Sequence, residues 1–126
     1  MLQWNATDFI ECLEVDYFFE PQDAAYEFHI TGSNINVEVR VIPDFDLISV
    51  KLISKNSGEY YSENTFLVLG STSYDRNSET IFIDSAIPVD DEFYTGHFRK
   101  VDLPDKYRFT VSLKAKPEFS MNIVLK

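Results

Sequence analysis

The sequence predicts a mainly β fold: about eight antiparallel strands forming a β-sandwich or an open barrel, with one short N-terminal helix, in a single domain over residues 1–126. Three observations predict it. Apolar and polar residues alternate through several stretches, the period of a half-buried strand with one wet face. Eleven Phe and seven Tyr favour extended structure, where aromatic side chains pack well on a pleated surface. Three hairpins can be drawn whose registers set apolar residues against apolar residues. A chain of 126 residues that is 44% hydrophobic can fill one core.

The helix is expected over residues 6–14. Asn5 is the N-cap, Asp8 stands at N3 as a capping-box variant, and Trp4 and Phe9 form a hydrophobic staple. Phe9, Ile10 and Leu13 mark an apolar side, and Asp8, Glu11 and Glu14 a polar one. From Val15 the period changes to two. Strong strands are expected at 24–31, 35–41, 48–52, 107–116 and 119–125, and weaker ones at 15–20, 65–69, 80–84 and 96–101. Residues 66–69, Phe-Leu-Val-Leu, lack alternation and read as buried on both faces. Residues 70–79 and 85–95 are expected to be long loops, the first a mobile contact loop.

A type II′ turn at Gly32-Ser33 sets Ile30 against Ile35, Phe28 against Val37 and Tyr26 against Val39. A loop at 43–46 sets Val41 against Ile48, Val39 against Val50 and Val37 against Leu52. A loop at 116–118 sets Leu113 against Met121 and Val111 against Ile123.

Charge is uneven along the chain. Residues 1–50 hold ten acids and one base, Arg40; residues 51–98 are net −5 and residues 99–126 net +4, within a total of −10. Such a gradient makes an acidic side only if the fold keeps the two ends apart. An acidic balance disfavours nucleic acid and anionic membranes as partners. No run approaches the about 20 apolar residues of a membrane helix. Cys12 is the single cysteine, so no intrachain disulfide forms. The first residues carry neither a basic region nor a long apolar run, and the expected location is cytoplasmic.

Candidate chemistry is sparse. The first hairpin's register places Glu27 opposite Glu38 and His29 opposite Asn36, all on the wet face and within reach of one metal ion or one basic ligand. The plainer reading is a solvated face, with Lys51 beyond Glu38, and with Arg40 opposite Ala25 and diagonal to Glu27. Asp44-Phe45-Asp46, Asp90-Asp91-Glu92 and Asp84 match no calcium loop, and turn formation accounts for them. His29 and His97 fall on expected strands, and no strained nucleophile turn accompanies them. Cys12 reads as a small buried hydrophobe. The four glycines form no phosphate cradle. No catalytic residue and no cofactor is therefore expected. Tyr60, Tyr61, Tyr74 and Tyr94 lie in or beside expected loops near acidic residues. They suit protein recognition or sugar stacking, or simply cap the core.

The leading expectation is a non-catalytic protein-interaction module, an acidic inhibitor or antitoxin/immunity-type protein that binds a basic surface. Its contact residues would be Glu11, Glu14, Glu27, Glu38, Tyr60, Tyr61 and Tyr74. The alternative is a β domain that binds a sugar or lipid, which calls for a deep apolar cavity. A second alternative is a small metal-dependent protein using Glu27, His29 and Glu38.

Overall fold

The computed structural model describes residues 1–89 and 108–126. The helix, α1, spans Ala6–Leu13. The Thr7 N–H donates to Asn5 Oδ1 at 2.9 Å, supplying the cap that a short helix needs. Trp4 meets Phe9 edge-on at a centroid distance of 5.5 Å, so the staple forms. The helix ends at Glu14, which is left-handed at φ 59° and returns its N–H to the Ile10 carbonyl.

Nine strands follow among the described residues: β1 Tyr17–Glu20, β2 Ala25–Thr31, β3 Ile35–Ile42, β4 Leu47–Ser54, β5 Tyr60–Val68, β6 Thr72–Asp75, β7 Thr80–Val89, β8 Phe109–Lys114 and β9 Ser120–Leu125. All named pairings are antiparallel. The order is β1-β2-β3-β4-β5-β7-β8-β9, with β6 paired to β7, and the sheet does not close into a barrel.

The hinge of the architecture is β7. Its C-terminal half pairs with β5, and its N-terminal half pairs with β6 and β8. Between them the register slips at Asp84-Ser85, with Ser85 left-handed at φ 52°. Such a bulge bends a strand and lets it leave one sheet for another. Gly70 lies against this corner, where an added Cβ would come within 2.8 Å of the Asp84 carbonyl oxygen. The β6-β7-β8-β9 half thus covers the β1–β5 half. One buried cluster joins Phe28, Val39, Val50 and Phe66 to Ile81, Ile83, Val111 and Leu113, with Phe9, Cys12 and Leu13 of the helix among them. A smaller cluster of Ala25, Ile42, Leu47, Leu67 and Ile87 occupies the other face. This double burial explains the unbroken apolar run in β5.

Several expectations are corrected. The first turn centres on Ser33-Asn34, with the Gly32 N–H donating to the Ile35 carbonyl at 3.1 Å. Tyr26, Phe28 and Ile30 therefore face Val41, Val39 and Val37, two residues away from the expected register. Glycine serves here through close approach: a Cβ at Gly32 would strike the Ile35 carbonyl oxygen. The other two hairpins hold the expected register. Residues 70–79 are not a loop, since β6 and a tight turn occupy them, and residues 85–89 continue β7. Tyr60 and Tyr61 belong to β5, which starts earlier than expected, and Tyr74 to β6. Ala24 is a left-handed turn residue at φ 51°. The strand expected at 96–101, His97, Tyr94 and the acidic run 90–92 lie outside the described residues. No helix among the described residues is long and apolar enough to cross a membrane.

Candidate functional site

Two features can hold a partner or ligand. The first is a cleft of about 670 Å³ between the two halves of the sheet, at the end that carries the 32–35 and 116–118 turns. Alternation along β2, β3 and β4 turns Ile30, Val37, Val50 and Leu52 into it, and Ala115, Phe119 and Met121 line the opposite wall. Val37 and Val50 are buried, so the floor is core. Thr31, Ser33, Asn34, Ser120 and the Glu118 carboxylate supply polar groups. The rim is pinned: the Lys55 N–H donates to the Asn34 carbonyl at 3.1 Å, and Lys55 Nζ to the Gly32 carbonyl at 3.1 Å. The cleft lies where the 32–35 turn and the adjoining ends of β2, β3 and β4 face the β8–β9 hairpin.

The second feature is the outer face of the β1–β5 half. Here Glu27 lies opposite Arg40, not Glu38, and His29 lies opposite Glu38, not Asn36. The two glutamates therefore do not face each other across the strands. Arg40 is a hub: its Nε donates to Glu27 Oε2 at 3.1 Å, and its Nη2 lies 2.8 Å from Asp23 Oδ2 and 3.4 Å from Glu20 Oε2. Burial by itself would lower the guanidinium pKa, but the hydrogen bond and charge of Asp23, joined by Glu27, outweigh it and raise the pKa. The remaining Glu27 oxygen, Oε1, lies 3.2 Å from His29 Nε2. Lys51 does face Glu38, yet its Nζ approaches Glu63 at 4.0 Å and the Tyr60 ring at 5.0 Å. Glu27, His29 and Glu38 each offer one metal-ligand atom, all within 4.8 Å of one another.

The other contact candidates are scattered. Glu11 meets Arg76 at 3.4 Å, and Glu14 meets Lys116. Lys116 also reaches Glu79 at 3.9 Å. The hydrogen bond and charge of Glu14 hold the Lys116 ammonium above its ordinary range. Lys116, one of the C-terminal bases, therefore lies against the acidic end of the helix, so this part of the basic segment is not kept apart from the acidic one. Tyr60 and Tyr61 are 60% and 65% exposed. Tyr61 is the extra residue where the β4–β5 register slips, and a bulge re-aims a side chain in this way. Tyr74 packs against the core. Cys12 is buried, and its thiol lies 3.4 Å from the Glu79 carbonyl.

Sequence reasoning missed Arg40 as an organiser and the cleft as a place. The first left a signal, since a lone base among ten acids attracts several of them. The second left none, because a gap between two sheet halves is a tertiary property. Comparison with protein-family models, with curated proteins and with solved structures finds no match to this chain.

Proposed function

We propose that this is a binding domain whose cleft takes a small amphipathic ligand of the lipid class. The cleft itself carries the reading. Its volume of about 670 Å³ lies within the roughly 300–1,000 Å³ of ordinary ligand pockets. Its floor is aliphatic with Phe119 on one wall, and the lining also carries polar groups, the Glu118 carboxylate among them, a mixture that suits an apolar body with a neutral or polar end in water. The test is displacement of an environment-sensitive apolar dye by straight-chain fatty acids and, separately, by neutral sugars. Fatty acids should displace it saturably. Leu52→Trp and Met121→Trp, which fill the cleft without charging it, should abolish dye binding while the melt stays cooperative. Sugar displacement alone, or dye binding untouched by both substitutions, would overturn the lipid reading.

The protein-interaction reading keeps one specific support: three exposed aromatics, Phe18 at 61%, Tyr60 at 60% and Tyr61 at 65%, on and beside a charged sheet face. Aromatic side chains with charged neighbours are common anchors of protein contacts. A partner protein captured by the intact domain should be lost on Tyr60→Ala with Tyr61→Ala. An acidic-inhibitor version also requires steep salt dependence, and flat affinity would remove it.

A further inference from the structure

We infer that Glu27, His29 and Glu38 form a surface site for a divalent first-row transition metal, of which zinc is the best match. This goes beyond ligand binding in the cleft and does not depend on it.

The placement follows from strand geometry. Glu27 and His29 are two residues apart on β2, so they project from the same face. Glu38 is the cross-strand partner of His29. Two carboxylates and one imidazole thus converge from three positions of a rigid antiparallel pair. Their ligand atoms lie within 4.8 Å of one another. A tetrahedral zinc with bonds of about 2.0–2.2 Å needs ligand atoms about 3.4 Å apart. Glu27 Oε1 and His29 Nε2, at 3.2 Å, already meet that spacing. The Glu38 carboxylate lies within 4.8 Å of both, and its side chain must rotate to close the remaining gap.

Two further observations favour a cation here, and a third fixes the orientation of one ligand. Arg40 holds Glu27 by Oε2, which orients the carboxylate and leaves Oε1 beside the imidazole. Such outer contacts tune metal ligands. Glu38 is half-buried, and among the described residues no cation lies within salt-bridge distance of it, because Lys51 is drawn toward Glu63 and Tyr60. His29 is the member most open to solvent, with its side chain 61% exposed, so the metal can enter and retain water ligands. An imidazole with two carboxylates suits zinc better than calcium or magnesium, which prefer oxygen alone.

The test is calorimetric titration of the intact chain with zinc, followed by cobalt as a spectroscopic substitute. One saturable zinc site is expected, with a rise in melting temperature that chelator reverses. Bound cobalt should give visible absorption of nitrogen and oxygen ligation without a thiolate band, which sets Cys12 aside. His29→Ala and Glu38→Gln should each abolish the saturable site. Arg40→Lys should weaken it about tenfold through Glu27. His97→Ala should leave it intact. Failure to bind zinc, binding that survives His29→Ala, or a site lost with His97→Ala would overturn the assignment. Because His29 is exposed, His29→Ala should melt like the parent without metal, so loss of binding is not loss of fold.

Discussion

Glu27 faces Arg40 directly across β2 and β3, and the Arg40 Nε donates to Glu27 Oε2 at 3.1 Å. The same guanidinium also reaches Glu20 and Asp23, so one half-buried cation joins the start of β2, the end of β1 and the turn between them. Exposed pairs contribute little, but a half-buried cation shared by three carboxylates leaves repelling charges behind when removed. Arg40→Met should therefore destabilise the protein by about 2 kcal/mol. Urea unfolding measures it. A loss under about 0.5 kcal/mol would reduce the cluster to ordinary surface pairs.

The first turn makes a second prediction. An added Cβ at Gly32 meets the Ile35 carbonyl oxygen, which is backbone and cannot step aside cheaply. Gly32→Ala should cost about 1–2 kcal/mol, the usual size of a local backbone conflict. Ser33→Ala, at an exposed neighbouring position, should stay within about 0.5 kcal/mol. Because Gly32 lines the cleft, Gly32→Ala should also weaken apolar dye binding. Equal stability for both variants would mean that the Ile35 carbonyl does not crowd position 32.

That turn also marks how far the sequence could be read. Sliding β2 against β3 by two residues preserves every face, because side chains alternate with a period of two. Matching apolar to apolar could not distinguish Ile30 facing Ile35 from Ile30 facing Val37. Turn chemistry had to decide, and glycine has two uses: positive φ and close approach. The local signals were legible where one effect dominated. Asn5, Trp4 and Phe9 marked the helix start, and Phe66-Leu67 marked a strand covered on both sides. What was hidden depended on distant partners. Thr72–Asp75 is short and polar, and becomes a strand by pairing with β7. The bulge at Asp84-Ser85 breaks the alternation that would have carried β7 through to Val89. The candidate ligand set of Glu27, His29 and Glu38 was named from the sequence, but through the wrong pairing. Glu27 and His29 share a face in either register, and the true one brings Glu38 opposite the imidazole.

Asp75 carries a pH prediction. Its Oδ2 accepts the Ser78 hydroxyl at 2.8 Å and its Oδ1 the Asn77 N–H at 3.0 Å. These bonds, led by that of Ser78, favour the ionised carboxylate and hold its pKa below the ordinary 3.8. The unfolded chain therefore binds a proton at a pH where the folded one does not. The contribution to stability is full above the ordinary value and vanishes as pH falls through the folded one. The melting-temperature gap between the parent and Asp75→Ala should be present at neutral pH, begin to shrink near pH 3.8, and close at lower pH. A gap that persists unchanged in strong acid would mean that the carboxylate's ionisation plays no part in the turn.

Cys12 reports on how tightly the helix is held. It is 3% exposed, and its thiol lies 3.4 Å from the Glu79 carbonyl and 3.8 Å from that of Leu113, between α1 and the β7–β8 pair. Burial raises its pKa, so the thiolate that reacts with disulfide reagents is scarce as well as hidden. Labelling of the native protein should therefore be slow and should require opening. If α1 leaves the sheet only with global unfolding, the labelling rate will rise with urea in step with the unfolding equilibrium. If α1, eight residues long, detaches by itself, as short helices readily do, the rate will be higher and nearly independent of urea below the transition. Core membership of Phe9 and Leu13 beside Cys12 favours the first outcome, because detaching the helix would expose all three side chains at once.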